Sequence, residues 1–135
     1  MGSRSSGTSG GGEVRVRRVY DPPEDGDGTR VLIDRLWPRG VAKDRAGIDK
    51  WLKDVTPSKE LRSWYHEDRT GARYDDFAAR YRDELDDPVH AAAMGELVDL
   101  VREGGPVTLL TAVKDMPHSH VPVLVDRLRH DLRRH

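Results

Sequence analysis

Val31-Leu32-Ile33-Asp34-Arg35-Leu36, closed by Trp37-Pro38-Arg39-Gly40, is the stretch on which the fold turns. The run is nearly continuous in apolar character, as in a strand buried on both faces, and the Pro and Gly behind it end the strand in a sharp turn. Val107-Thr108-Leu109-Leu110-Thr111-Ala112-Val113 has the same character and leads into the polar loop Lys114-Asp115-Met116-Pro117-His118-Ser119-His120. Residues 14–20 alternate apolar and polar, which predicts a further strand with one buried face. Residues 21–28, rich in Pro, Gly and Asp, form a loop. That loop is short for a parallel crossover, which usually takes about a dozen residues. The first strand is therefore open to two readings, parallel or antiparallel. The expectation is an α/β domain with a small, mostly parallel sheet of about three strands, flanked by helices on both faces.

Helical patterns fill the remainder. One is expected over residues 42–55. Thr56-Pro57 offers an N-cap followed by Pro at the first helical position, opening a short helix through Trp64. Tyr74, Phe77, Ala78, Tyr81 and Leu85 form an apolar stripe at helical spacing. Asp87-Pro88 opens a helix with Ala92, Ala93, Leu97, Leu100 and Val101 inward, and Gly104-Gly105 closes it. Ser119 is placed to cap a last helix whose inner face is Val123, Leu124, Leu128 and Leu132. Residues 1–12 are almost all Gly, Ser and Thr and read as a disordered leader or cloning scar. Residues 13–135 then form one domain.

A net charge of −1 disfavours a general nucleic-acid or anionic-membrane binder. Eighteen arginines against five lysines is the more telling balance. It fits either a GC-rich coding bias or arginines gathered for bidentate anion recognition. The absence of cysteine removes disulfides, thiolate catalysis and Cys-ligated metals. No apolar run reaches the ~20 residues of a membrane span, and the expected location is the cytoplasm.

In an open parallel sheet, ligands bind beyond the carboxyl ends of the strands. Two polar groups fall there. Asp34, Arg35 and Arg39 follow one strand; Lys114, Asp115, His118 and His120 follow the other. Tyr20 joins them if the first strand is also parallel. Arg35, Arg39, Lys114, Asp115 and Tyr20 are the candidate ligand-binding residues. Asp34, His118 and His120 are the candidate proton-moving groups, since a carboxylate or imidazole can exchange a proton near neutrality. The alternative for Asp34 is a fold-locking bond, and a buried carboxylate needs a partner under either reading. His118 and His120 alone fall short of the three ligands a metal site usually takes, so neither metal nor cofactor is expected. Trp64-Tyr65-His66 suits a pocket wall or plain packing. The basic run from Arg127 to Arg134 suits the helix dipole or a small anionic-polymer patch. No P-loop, G-x-G-x-x-G or G-x-S-x-G motif is present.

These same segments carry a family resemblance. Val19-Tyr20-Asp21-Pro22, Asp27-Gly28-x-Arg30-Val31-Leu32-Ile33-Asp34-Arg35-Leu36-Trp37-Pro38-Arg39-Gly40, Pro57-Ser58-x-Glu60-Leu61-Arg62 and Leu109-Leu110 through Lys114-Asp115 resemble the YeaO-like branch of the DUF488 family. Tyr74-x-x-Phe77-x-x-x-Tyr81-x-x-Glu84-Leu85 fits the same pattern. The resemblance implies an α/β domain in which an Asp-Arg strand end faces a later strand and loop, often ending in Cys-His-Arg. Here Thr111 stands where a cysteine is often found, and Ser119-His120-Val121 replaces Cys-His-Arg. Ser119 also replaces a common Asn of the YeaO-like branch. A thiol mechanism is thereby excluded, while Lys114 and a histidine near 118 or 120 match the branch.

Three functions remain open at this stage. The first is binding and transformation of a small anionic, nucleotide- or phosphate-like ligand. The second is a sensing or regulatory module that binds the same ligand without chemistry. The third, a nucleic-acid-associated role, is disfavoured by the charge. Sequence alone leaves the oligomeric state undefined.

Overall fold

The computed structural model describes residues 13–43 and 47–134. Four strands form a sheet in which every pairing is parallel: β1 (Val14–Arg18), β2 (Thr29–Leu32), β3 (Lys50–Trp51) and β4 (Val107–Thr111), in the order β1-β4-β2-β3. The expectation of a parallel α/β fold holds, with a short fourth strand added. Central β4 is buried along its whole length, as its β-branched and leucine content requires of a strand covered on both faces. Both apolar runs stop pairing as strands before the lengths expected, β2 at Leu32 and β4 at Thr111, although Ile33 N–H still donates to the Leu110 carbonyl at 3.0 Å.

The orientation left open for β1 is parallel. β1 and β2 are not neighbours, because β4 lies between them, with Val14 opposite Val107 on one side and Thr29 opposite Val107 on the other. The link from Val19 to Gly28 must return along the sheet and step across β4. Two strand spacings are roughly 10 Å and a five-residue strand roughly 17 Å, within reach of ten extended residues at about 33 Å. No crossover helix is needed.

Side-chain alternation divides the core. Val31, Ile33, Val107 and Leu109 face one side, where all four helices pack: α1 (Lys59–His66), α2 (Tyr74–Glu84), α3 (Pro88–Arg102) and α4 (Val121–Arg133). Val19, Leu32 and Leu110 face the other, beneath Trp37, Val41, Ile48 and Trp51. Loop side chains, rather than the helix expected over residues 42–55, cover this second face. That helix is a correction. Gly47 adopts φ +63°, Asp49 N–H donates to the Arg30 carbonyl, and Leu52 N–H to the Leu32 carbonyl, so the segment adds an edge strand and then a 3-10 turn, Lys53–Val55. Residues 44–46 of the expected helix, like the leader 1–12, lie outside the described residues.

The start of the next helix is also corrected, from Thr56 to Ser58. The Thr56 hydroxyl is spent on the Lys53 carbonyl at 2.5 Å, while Ser58 Oγ accepts from Leu61 N–H at 3.1 Å. Glu84 of α2 holds Ser58 in place through its N–H and hydroxyl, at 2.8 and 2.6 Å. Asp87 and Pro88 open α3 as expected, the carboxylate accepting from His90 N–H at 2.8 Å. The buried residues of α3 are His90, Ala93, Met94, Leu97, Val98 and Val101, Leu100 packs partly against the core, and Ala92 faces solvent.

The polar residues of β1 have a function that alternation alone did not reveal. Arg15 and Arg17 lie with Arg30 around Asp27, the last residue of the 3-10 turn Asp25–Asp27 and only 1% exposed. Arg17 and Arg30 reach its carboxylate at 3.0 and 2.5 Å, and Thr108 of β4 donates to its carbonyl at 2.8 Å. Burial pushes the Asp27 carboxyl up. The Glu24 N–H and the Arg30 and Arg17 guanidinium groups outweigh it and hold the pKa below the usual carboxylate value.

Candidate functional site

β2 and β4 end side by side, and the first residues past their ends lock together. The Asp34 carboxylate accepts from the Thr111 hydroxyl and from Ala112 N–H, both at 2.7 Å. The Asp34 carbonyl accepts from the Trp51 indole at 2.7 Å. Asp34 is thus held by neutral donors on two strands. Arg35 points toward the start of α1, where Nε donates to Thr56 Oγ1 at 3.1 Å and to the Pro57 carbonyl at 3.3 Å.

His120 sits at the same edge, buried at the entry to α4. Its Nε2 is 2.7 Å from the Ile33 carbonyl, an acceptor, so this nitrogen carries the proton. The same atom lies 3.6 Å from Asp34 Oδ1. Burial pushes the imidazole below its ordinary pKa, against the Ile33 carbonyl and the Asp34 charge, and the Arg62 charge acts in the same direction as burial. The ring is neutral at physiological pH. His118 differs: it is exposed, with Nδ1 3.0 Å from the Asp115 carboxylate. Two tyrosines fix the turn between them, Tyr65 donating to the His118 carbonyl at 2.8 Å and Tyr74 to the Ser119 carbonyl at 2.9 Å. Burial raises the pKa of both phenols, which keeps them protonated as donors. Ser119 Oγ accepts from Val121 N–H at 3.1 Å, but the N-cap of α4 is His120, which makes no side-chain cap, so the cap expected at Ser119 is corrected by one residue.

Over this edge lies a cleft of about 990 Å³. Asp34, Arg35, Arg39, Lys114, Asp115, His118 and His120 all line it. Tyr20 does not. It lies 52% exposed outside the cleft, with the Arg18 guanidinium 5.5 Å from its ring and its hydroxyl 3.4 Å from the Arg39 carbonyl. The cause is position: β1 is the far edge strand, separated from β2 by β4. Two cations that the sequence reading did not single out as ligands complete the lining, Arg62 on α1 and Arg69 in the loop after it. Arg62 had a signal, since it follows buried Leu61 within the family pattern; Arg69 had none. Tyr65 and His66 are also in the wall.

The charges in the cleft do not cancel internally. Asp34 is engaged by Thr111 and Ala112, Asp68 by Thr70 and Arg73 N–H, and Asp115 by His118. Among the described residues, no side-chain hydrogen bond or ion pair engages Arg39, Arg62, Arg69 or Lys114.

Fold and cleft together define a small parallel α/β protein with a cation-lined cleft over the carboxyl edge of its sheet. Residues 13–135 match the family model described as "Inactive DUF488-N3 subclade", and the chain belongs to this DUF488 family. It is similar to the uncharacterized protein Rv3073c of Mycobacterium tuberculosis, 47% identical over 115 residues that span 85% of this chain and 92% of the relative. It is also similar to the uncharacterized protein YeaO of Escherichia coli strain K12, 40% identical over 116 residues, 86% of this chain and 96% of that one. No solved structure matches.

Proposed function

We propose that the protein is a binding module for a small anionic ligand, held in the cleft without chemical transformation. The carrying observation is four cationic side chains, Arg39, Arg62, Arg69 and Lys114, that line one cleft with no internal partner. Arg35, Arg39, Arg62, Arg69 and Lys114 outnumber Asp34, Asp68 and Asp115 in the lining, and a cation excess in a concave site favours an anion, with the guanidinium fork suited to two oxygens at once. Two of the three groups expected to move protons, Asp34 and His120, support binding over catalysis. Asp34 is occupied by structural donors, and His120 is tied to a main-chain carbonyl. The family description, an inactive subclade, agrees. A cytoplasmic location is part of this proposal, since phosphorylated small molecules are retained there by their charge.

Thermal-shift titration with inorganic phosphate and pyrophosphate tests the reading, because a ligand that binds only the folded state raises the melting temperature. Stabilisation by either anion is expected, without its consumption. Arg39→Lys keeps the charge and loses the fork; it should weaken binding by about 1–3 kcal/mol and leave the unliganded fold unchanged. No stabilisation by either anion, or turnover of a bound one, would overturn the proposal.

A further inference from the structure

The cleft is graded with depth. Arg39, Arg69 and Lys114 are exposed at its rim, whereas His120 is buried and Arg62 half-buried below them. Among the described residues, Arg62 Nε is the one buried side-chain nitrogen or oxygen without a hydrogen-bond partner. His120 Nδ1 engages no hydrogen-bond partner among the described residues, and His120 lines the cleft. With Nε2–H committed to the Ile33 carbonyl, the Nδ1 of the neutral ring is a bare acceptor. The cleft wall therefore offers an acceptor in His120 and a donor in Arg62, both lining the same space. A bare anion satisfies only the donor. A hydroxyl satisfies both, donating to Nδ1 while accepting from Arg62.

Resting on the anion-binding reading above, we propose that the ligand is a small phosphorylated polyol that enters hydroxyl-first. A hydroxyl bridges His120 Nδ1 and Arg62 at the floor, and the phosphate stays among Arg39, Arg69 and Lys114 at the rim. A phosphate monoester near neutral pH carries up to two negative charges, which suits several unmatched cations better than a single carboxylate does.

Calorimetric titration at pH 8 with glycerol 3-phosphate and n-propyl phosphate separates the two layers of the argument. The probes share a phosphate and a three-carbon chain and differ in their hydroxyls. Glycerol 3-phosphate should bind about tenfold more tightly, the increment of one well-made hydrogen bond to a charged group. Arg62→Met should bring that ratio to about one while both probes still bind through the rim. Equal affinities in the unmodified protein, or an undiminished ratio in Arg62→Met, would overturn the polyol proposal and leave the anion reading standing. If neither probe nor pyrophosphate binds, the anion reading itself fails and the proposal falls with it.

Discussion

Asp34 carries a charge at the exit of a buried strand, yet its carboxylate is closest to neutral donors, the Thr111 hydroxyl and Ala112 N–H. Removing it strands both donors. Asp34→Ala should therefore lower stability by about 2–4 kcal/mol in urea unfolding, whereas Arg39→Ala, which loses no intramolecular partner, should stay within about 0.5 kcal/mol. An Asp34→Ala variant as stable as the parent would return Asp34 to the list of groups free for chemistry. His120 gives a pH dependence with a definite sign. Its folded pKa lies below the ordinary value, so the unfolded chain takes up the proton first. Its contribution to stability is intact above an ordinary histidine pKa of about 6.5 and declines as pH falls below it. Unfolding curves from pH 8 to 5 should show this decline, and His120→Gln should make it shallower. Much at this scale was legible in the sequence. Asp34, Arg35, Arg39, Lys114, Asp115, His118 and His120 sit where buried parallel strands must end. Arg62 and Arg69 were harder to find because helix α1 and the loop after it reach the cleft only through tertiary packing.

Elements were readable where local chemistry and tertiary need agreed. Asp87-Pro88 starts α3 because a carboxylate cap and a missing N–H suit a helix start in any context. Thr56-Pro57 carried the same local signal, but there the Thr56 hydroxyl was claimed by Lys53 and Arg35, and the cap moved to Ser58. Residues 47–55 failed as a helix for a related reason: Gly47 bends the chain and Arg30 supplies strand partners. Gly28 marks the tightest element junction. It adopts φ +64°, and a Cβ there would meet the Pro106 carbonyl oxygen at 2.0 Å. The same carbonyl accepts from Thr29 N–H at 3.0 Å, the contact that seats β2 against β4. Gly28→Ala should cost about 3 kcal/mol through combined backbone strain and clash, measurable as a lowered urea midpoint. A neutral outcome would mean that the β2 entrance can shift without loss.

For the molecule as a whole, the parallel α/β class followed from two apolar runs, but the strand order did not. Nothing local in residues 14–18 or 29–32 states that a strand from residue 107 onward will lie between them. The register does: Val14 and Thr29 both pair with Val107, and Arg18 with Thr111. A chain growing from its N-terminus must therefore carry β1 and β2 through most of its synthesis before their shared partner exists. Such distant pairings raise the loop-closure cost that must be met before any contact rewards it, and they slow folding. Refolding should accordingly run on the millisecond-to-second scale in stopped-flow fluorescence, with Trp37 and Trp51 reporting on closure of the second face; a microsecond phase carrying the full amplitude would contradict this. The central strand is thus also a clock, and until it arrives the sheet's first two strands are open edges, exposed to pairing with other chains.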